Sequence, residues 1–184
     1  MKNVKTFAQF REMIEAADFE SGISDYYKQI PEDTVKKLQE LNLSISAAES
    51  LTAGMFQSAI ADIPGASKIL EGGFVTYSDE AKSQLLHIGA DIIEKYTVVS
   101  PTVAQAMAEN TSKLVGADIG VGLTGVAGPD PLEGSPVGTV FIGVYDKTED
   151  SGVAREFHFE GSRQAVRLKS VITAFVLVQR LIHQ

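Results

Sequence analysis

Cysteine is absent from this sequence of 184 residues, and tryptophan is absent as well. Without cysteine the chain has no disulfide, no thiolate zinc site, no iron–sulfur cluster and no cysteine nucleophile. Any chemistry must therefore use oxygen nucleophiles, lysine, arginine, carboxylates or bound water.

Histidine and positive charge are also scarce. The three histidines, His87, His158 and His183, share no metal-ligand spacing, so we expect neither a metal site nor another cofactor. The chain has 16 basic against 24 acidic residues, a net charge of −8, and no basic run longer than Lys36-Lys37. Nucleic acid is not expected as a partner, because binding it needs clustered positive charge. A small anionic substrate needs only one or two well-placed cations.

Long apolar runs are missing too. No stretch of 18 apolar residues occurs, so we expect neither a membrane span nor a membrane partner. Residues 1–5 lack the apolar core of a secretion signal. The expected location of the protein is therefore the cytoplasm.

The residue pattern changes at position 40. Residues 1–40 are predicted to form an N-terminal helical extension, and residues 41–184 one domain of ordinary size. Apolar residues at helical spacing indicate a first helix in the extension, and Pro31 suits the first turn of a second. The predicted apolar faces consist of Phe7, Phe10, Met13 and Ile14 in the first helix, and Val35, Leu38 and Leu41 in the second.

Beyond residue 40, strands alternate with helices, which predicts an α/β domain. The predicted strands lie at 41–47, 72–77, 119–124, 139–144 and 153–159. The last two are expected to pair as an antiparallel hairpin with 153–159 at an edge, so the sheet is mixed. The predicted helix starts are a turn at Ser50 and caps at Ser78, Ser100 and Ser162, and the helix after Ser50 is expected to end at Pro64-Gly65.

Three predicted strand ends carry polar residues, at 50–54, 77–82 and 124–129. Ligands of open α/β sheets bind at such carboxyl ends. Ser50 is either a nucleophile beside N–H donors for an oxyanion or, like Thr52, a helix cap. Lys82 is either a solvated surface lysine or a partly buried base for the Ser50 hydroxyl. Tyr77 is either a core ring or a member of a Ser–Tyr–Lys relay.

Backbone and cationic features flank these candidates. The glycine-rich segment 124–129 allows a ligand to approach closely, but it matches neither the Walker motif nor the dinucleotide fingerprint. Arg163 and Arg167 share a face at the start of the last predicted helix, where the helix dipole disfavours cations. This placement indicates either an anionic ligand or a surface ion pair with an acid such as Glu160.

Taken together, these segments resemble the C-terminal domain of the CinA family, a family of nicotinamide-nucleotide amidohydrolases. The resemblance covers residues 33–182, approximately, which is most of the chain. The matching pieces, in order, are Ala48-Glu49-Ser50 with Thr52 and Gly54; Gly72-Gly73; Tyr77-Ser78 with Glu80-Ala81-Lys82; Val99-Ser100; Thr124-Gly125-Val126-Ala127-Gly128-Pro129; Pro136-Val137-Gly138-Thr139-Val140; and Gly161-Ser162-Arg163 with Arg167.

The resemblance implies a metal-free, three-layer α/β/α sandwich, for which we expect a mixed, mostly parallel sheet, and it also implies a homo-oligomer. The implied reaction is hydrolysis of the carboxamide of nicotinamide mononucleotide to nicotinic acid mononucleotide and ammonia, in the recycling of pyridine nucleotides. Ser50 is then the nucleophile, Lys82 its base, and Tyr77 part of the same hydrogen-bonded cluster. The implied substrate-binding residues are Thr52, Gly54, Thr124, Gly125, Ala127, Gly128 and Arg163, the last of these for the phosphate.

Two segments depart from the family's pattern. Leu51-Thr52-Ala53-Gly54 stands where the family usually has Cys-Thr-Gly-Gly, and residues 130–135 replace a glycine-rich run with a lysine by a segment that carries two acids. The altered loop and the N-terminal helices favour an alternative, a non-catalytic nucleotide-binding or regulatory protein that uses the same pocket. A further alternative is a serine amidase for another pyridine or sugar carboxamide.

Overall fold

Helices and strands alternate around a five-stranded sheet. The computed structural model describes residues 7–16 and 23–183. The elements in chain order are α1 Phe7–Ala16, α2 Ile23–Leu41, β1 Ile45–Glu49, α3 Met55–Ala61, a 3₁₀ turn Ala66–Lys68, β2 Leu70–Val75, α4 Asp79–Leu86, α5 Ala90–Tyr96, α6 Pro101–Val115, β3 Ile119–Gly125, β4 Thr139–Asp146, β5 Ser151–His158 and α7 Arg163–Ile182.

The strands follow the order β2-β1-β3-β4-β5. β1 pairs in parallel with β2 and β3, whereas β4 is antiparallel to both β3 and β5. The predicted mixed sheet is therefore confirmed, as is the hairpin that ends in an edge strand. The expectation of a mostly parallel sheet holds only in part: β4 alone runs against the other four strands, but two of the four pairings are antiparallel.

Helices cover both faces of the sheet, so the predicted three-layer α/β/α fold is confirmed. On one face α2, α3 and α7 bury the larger apolar cluster, which includes Phe56 and Phe175 with stacked rings 4.3 Å apart. On the other face α6 lies across β1, β3, β4 and β5, with α4 and α5 beside it. β1 is buried along its whole length because it lies between two parallel neighbours under both helical layers.

Several predicted boundaries are wrong. The strands predicted at 72–77 and 153–159 extend over 70–75 and 151–158 instead. Pro31 lies inside α2 and not in its first turn, because the helix already begins at Ile23. The buried face of α2, with Val35 and Leu38, packs against α7 and outweighs the one hydrogen bond that a proline removes. Leu41 ends α2 and is 41% exposed, so the predicted strand starts only at Ile45. α3 ends at Ala61, before Pro64-Gly65.

The N-terminal predictions are answered only in part. Phe10 and Ile14 of the predicted first helix are buried in the larger cluster, whereas the side chains of Phe7 and Met13 and the whole of residues 1–5 lie outside the described residues. The division at residue 40 stays a prediction. Among the helices described, none is both long and apolar enough to cross a membrane.

Candidate active site

A cavity of about 320 Å³ lies at the carboxyl ends of β1 and β3. These strands are parallel neighbours, so the residues that follow them emerge at the same edge of the sheet. The cavity is lined by Ser50, Leu51, Tyr77, Asp79, Lys82, Val98, Val99, residues 124–132 and Arg163. All three predicted catalytic residues are among them.

Ser50 follows β1 directly and begins a tight turn. Its N–H donates to the carbonyl of Leu123 at 2.9 Å, which continues the β1–β3 pairing, and its carbonyl accepts from Ala53 N–H at 3.2 Å. Ala53 and Gly54 have positive φ angles of 50° and 94°, which turn the chain into α3. The hydroxyl of Ser50 is thus held at the cavity by backbone on both sides.

Glu49, and not a hydroxyl, caps α3. Its buried carboxylate accepts the N–H groups of Gly54 (3.0 Å), Phe56 (3.1 Å) and Gln57 (3.0 Å), and the Gln57 side-chain amide at 3.1 Å. The alternative that Ser50 or Thr52 caps this helix is therefore wrong. A carboxylate at this end also matches the positive pole of the helix.

The cap changes which donors can hold an oxyanion. The N–H groups at the start of α3 are occupied by the Glu49 carboxylate and, for Met55, by the Thr52 carbonyl, so they are not available to a ligand. In the described part of the chain, the N–H groups of Leu51 and Thr52 make no hydrogen bond. Leu51 lines the cavity and follows Ser50 directly, so its N–H is the candidate donor for an oxyanion.

Lys82 is fully buried, although it lies in the first half of α4. Its Nζ donates to the carbonyl of Thr76 at 3.1 Å and to Ser50 Oγ at 3.4 Å. Burial lowers the pKa of the Lys82 ammonium, while the negative charges of Asp79 and Glu133 oppose that shift. The solvated-lysine alternative is wrong, because α4 faces the site with this side chain.

Tyr77 and Arg163 form a pair at the cavity. Tyr77 is 58% exposed, so its ring is not part of the core. Arg163 donates from Nη2 to Tyr77 Oη at 2.8 Å and from Nη1 to the carbonyl of Gly128 at 2.6 Å. Among the described contacts, the Tyr77 hydroxyl has no hydrogen bond to Ser50 or Lys82. Its place in their cluster stays a prediction.

Arg163 and Arg167 form no ion pair within residues 7–16 and 23–183, so the surface ion pair with Glu160 is not found there. Both guanidinium groups donate instead to neutral oxygens. Their positive charges are therefore not neutralised by a neighbouring carboxylate of the described chain.

The glycine-rich loop forms one wall of the cavity. Thr124 is buried and its hydroxyl donates to the carbonyl of Val98 at 2.7 Å, while Gly125, Ala127 and Gly128 line the cavity. Thr52 and Gly54 do not line it. Thr52 is buried, with no hydrogen-bond partner for its hydroxyl, and the N–H of Gly54 donates to the Glu49 carboxylate.

The sequence pattern missed several residues of the site. Asp79 and Asp130 are acidic residues of the cavity lining, which also contains the basic residues Lys82 and Arg163. Glu133 accepts the N–H of Val98 at 3.0 Å and so ties the altered loop to the opposite wall. Asp79 carried a weak signal, as an acid in the first turn of α4, whereas nothing local predicts the contact between Glu133 and Val98.

The arrangement suits acyl transfer. It combines a hydroxyl, a buried amine within reach of it and an unoccupied N–H donor at one edge of a cavity. Among the residues described, no group of three or more histidine, aspartate and glutamate side chains is placed to hold a metal ion.

Sequence comparison finds close relatives of this chain. The sequence model of the CinA C-terminal domain family matches residues 27–182. A protein of Streptococcus uberis named as competence-damage inducible is 43% identical over 178 residues, which are 92% of this chain and 42% of that protein. One of Listeria monocytogenes is 45% identical over 153 residues, 83% of this chain and 37% of that protein. The chain thus spans about two fifths of these relatives' length.

Solved structures share the fold. A CinA superfamily protein from Escherichia coli has a TM-score of 0.82 and 28% identity, with 93% of this chain and 96% of that chain covered. The competence/damage inducible protein CihA from Agrobacterium tumefaciens has a TM-score of 0.81 and 28% identity, with coverages of 86% and 96%.

Proposed function

Because the chain belongs to the CinA C-terminal domain family, we propose that it hydrolyses the carboxamide of nicotinamide mononucleotide to nicotinic acid mononucleotide and ammonia. The observation that carries the proposal is the pair of Ser50 and Lys82. The buried Lys82 Nζ is 3.4 Å from Ser50 Oγ at the edge of the cavity. The cavity volume of about 320 Å³ is within the range of small-molecule sites.

In the proposed reaction, neutral Lys82 takes the proton of the Ser50 hydroxyl as Oγ attacks the amide carbon. The amide oxygen becomes an oxyanion and accepts a hydrogen bond from the Leu51 N–H. Lys82 then returns its proton to the amide nitrogen, the C–N bond breaks and ammonia leaves. Water, activated by the same amine, hydrolyses the acyl-Ser50 ester and releases the carboxylate product.

Arg163 is the residue to which we assign the substrate phosphate. It lies at the first position of α7, its charge is unpaired within the described chain, and it reaches the cavity beside Tyr77. A guanidinium offers the planar donor pair that suits phosphate oxygens. Binding would exchange its contacts to Tyr77 and the Gly128 carbonyl for contacts to the anion.

The first test removes the nucleophile. Ammonia and nicotinic acid mononucleotide are measured with wild type, Ser50→Ala and the control Ser58→Ala, an exposed serine of α3. We expect the Ser50 variant to lose at least roughly a thousandfold in kcat, because no covalent intermediate can form, and the control to match wild type. Equal rates in wild type and Ser50→Ala would refute the assignment of Ser50 as the nucleophile.

The second test removes the base. Lys82→Met keeps a long apolar side chain in the buried position, and Lys68→Met, at an exposed lysine, is the control. General-base catalysis contributes ~10²–10⁴-fold, so we expect a loss of that size in the Lys82 variant alone. An active Lys82→Met enzyme would assign the proton transfer to another group.

A second candidate is a nucleotide-binding protein without turnover. It is favoured by the acids of the altered loop. Asp130 lines the cavity, and the negative charge of Glu133 raises the pKa of Lys82 against the effect of burial. Calorimetric binding of the nucleotide with no product after long incubation would support this function over the enzyme. Turnover of other carboxamides in a substrate panel would instead redirect the amidase assignment.

A further inference from the structure

Arg167 binds the turn that follows Ser50 and does not itself line the cavity. It lies one helical turn after Arg163 on α7 and is half-buried. Its Nε donates to the carbonyl of Leu51 at 2.9 Å and its Nη2 to the carbonyl of Thr52 at 3.0 Å. We propose that Arg167 is a positioning residue that fixes the nucleophile turn in its reactive geometry. The proposal rests on the proposed amide hydrolysis.

The turn needs such support because it has little regular structure. Residues 51–54 lie between β1 and α3, and Ala53 adopts a left-handed conformation that is unfavourable for a residue with a side chain. Glu49 holds the turn through the N–H of Gly54, and Arg167 holds it through two carbonyl groups. The two charged side chains therefore anchor the two kinds of backbone group in one short segment.

The two hydrogen bonds of Arg167 also orient the neighbouring N–H groups. In a trans peptide the C=O and the following N–H lie in one plane and point in opposite directions. Anchoring the Leu51 carbonyl therefore directs the Thr52 N–H away from Arg167, and anchoring the Thr52 carbonyl does the same for Ala53. The Ala53 N–H in turn donates to the Ser50 carbonyl at 3.2 Å, whose peptide carries the Leu51 N–H. The planar guanidinium thus sets the direction of the proposed oxyanion donor.

Arg167 and Arg163 differ in what they touch. Arg163 lines the cavity, whereas Arg167 does not. The third nitrogen of the Arg167 guanidinium, Nη1, donates to the exposed Gln164 side chain at 3.1 Å, so all three nitrogens are already engaged by the protein. Loss of Arg167 should therefore act on kcat and leave the KM for the nucleotide nearly unchanged.

The steady-state test uses Arg167→Met and Arg167→Lys, with Arg155→Met on the exposed edge strand β5 as the control. A misplacement of about 1 Å at a reacting group costs roughly 100-fold, so we expect kcat for Arg167→Met to fall by about that factor while KM stays within about twofold. Arg167→Lys is expected to recover part of kcat, because a single ammonium reaches one carbonyl but does not bridge two as a fork.

A second measurement does not depend on the substrate. Phenylmethylsulfonyl fluoride is used to label Ser50, and the adduct is followed by mass spectrometry: the Oγ–S bond forms, the S–F bond breaks, fluoride leaves and the hydroxyl proton goes to Lys82. We expect Ser50 labelling to slow in Arg167→Met by roughly the same factor as kcat, since both need the same turn geometry. Arg155→Met should label at the wild-type rate.

The outcomes separate this proposal from the proposed function. Wild type that labels at Ser50 but releases no ammonia would refute the amidohydrolase assignment, and the labelling rates would still test Arg167. Should Arg167→Met fail to fold, as judged by circular dichroism, Arg167→Lys decides the question. A folded Arg167 variant with wild-type kcat and labelling rate, or one with raised KM and unchanged kcat, would overturn the positioning role.

Discussion

Gly122 is a position where a single added methyl group should disturb the packing of α6 on the sheet. It lies in the centre of β3 and faces α6. A Cβ there would be 2.7 Å from the backbone nitrogen of Ala108 and would also run into the carbonyl of Ala104. Ordinary contact begins at 3.4 Å, so α6 must move away by at least 0.7 Å, which is 3.4 minus 2.7. Both obstacles are backbone atoms, which a rotamer change does not relieve.

The cost of this shift can be bounded. Overpacking a filled core costs about 1–3 kcal/mol, and the upper part of that range applies because a whole helix must move. For a chain of this length each kcal/mol lowers Tm by about 2–4 °C, so a loss of about 3 kcal/mol for Gly122→Ala corresponds to about 6–12 °C. α6 starts just after Val98 and Val99, which line the cavity, so KM should rise as well.

Thermal unfolding followed by circular dichroism measures the effect. Gly89→Ala is the matched control, because Gly89 has an ordinary φ of −57° and an added Cβ would meet only the flexible Asp91 carboxylate and a carbon of Ile92 at 3.7 Å. Alanine is less favourable than glycine at this helix N-cap by roughly 1 kcal/mol, so we expect the control to melt within about 4 °C of wild type, less than the change expected for Gly122→Ala. A Gly122→Ala protein that melts together with wild type would show that α6 is not seated on β3 as described.

Two further predictions concern the pKa of Lys82. Asp79→Asn removes a charge that raises this pKa, so a larger fraction of the amine is neutral at a given pH. The rising limb of kcat against pH should therefore move to lower pH. The matched change Asp91→Asn, in the first turn of α5, should leave the limb in place. Because the folded-state pKa of Lys82 lies below its ordinary value of 10.5, its contribution to stability is complete above pH 10.5 and is lost as the pH falls through the folded pKa. Denaturant titrations should therefore show wild type gaining stability relative to Lys82→Met as the pH rises through that window, and parallel curves would refute the lowered pKa.

Local rules predicted the helix starts well. Ser78, Ser100 and Ser162 each accept the N–H of the residue three positions later, as their sequence context indicates. Such caps depend only on neighbours in the chain, so the sequence suffices to find them. α3 is an exception because its cap, Glu49, is the last residue of the preceding strand, and the pattern of a strand residue indicates burial or exposure but not capping.

Long-range contacts explain the remaining errors. The alternation that predicts a strand from residue 41 belongs to a half-exposed strand, whereas β1 is covered on both faces and buried throughout. The burial of Lys82 depends on the chain around Thr76 and Ser50, which are 6 and 32 residues away. No helix is predicted from the sequence at α5, because this short helix has no buried residue and therefore no apolar periodicity that marks it.

The charges around Lys82 act in opposite directions, and their balance sets when the amine can serve as a base. Burial favours the neutral form, and Asp79 and Glu133 favour the charged form. A nucleotide phosphate entering the cavity would add negative charge and raise the pKa further, unless a cation compensates for it. Arg163 is placed to provide that charge, because its guanidinium reaches the cavity and carries no carboxylate partner in the described chain. In the proposed reaction, Arg163 therefore both binds the phosphate and keeps the base neutral once the substrate is bound.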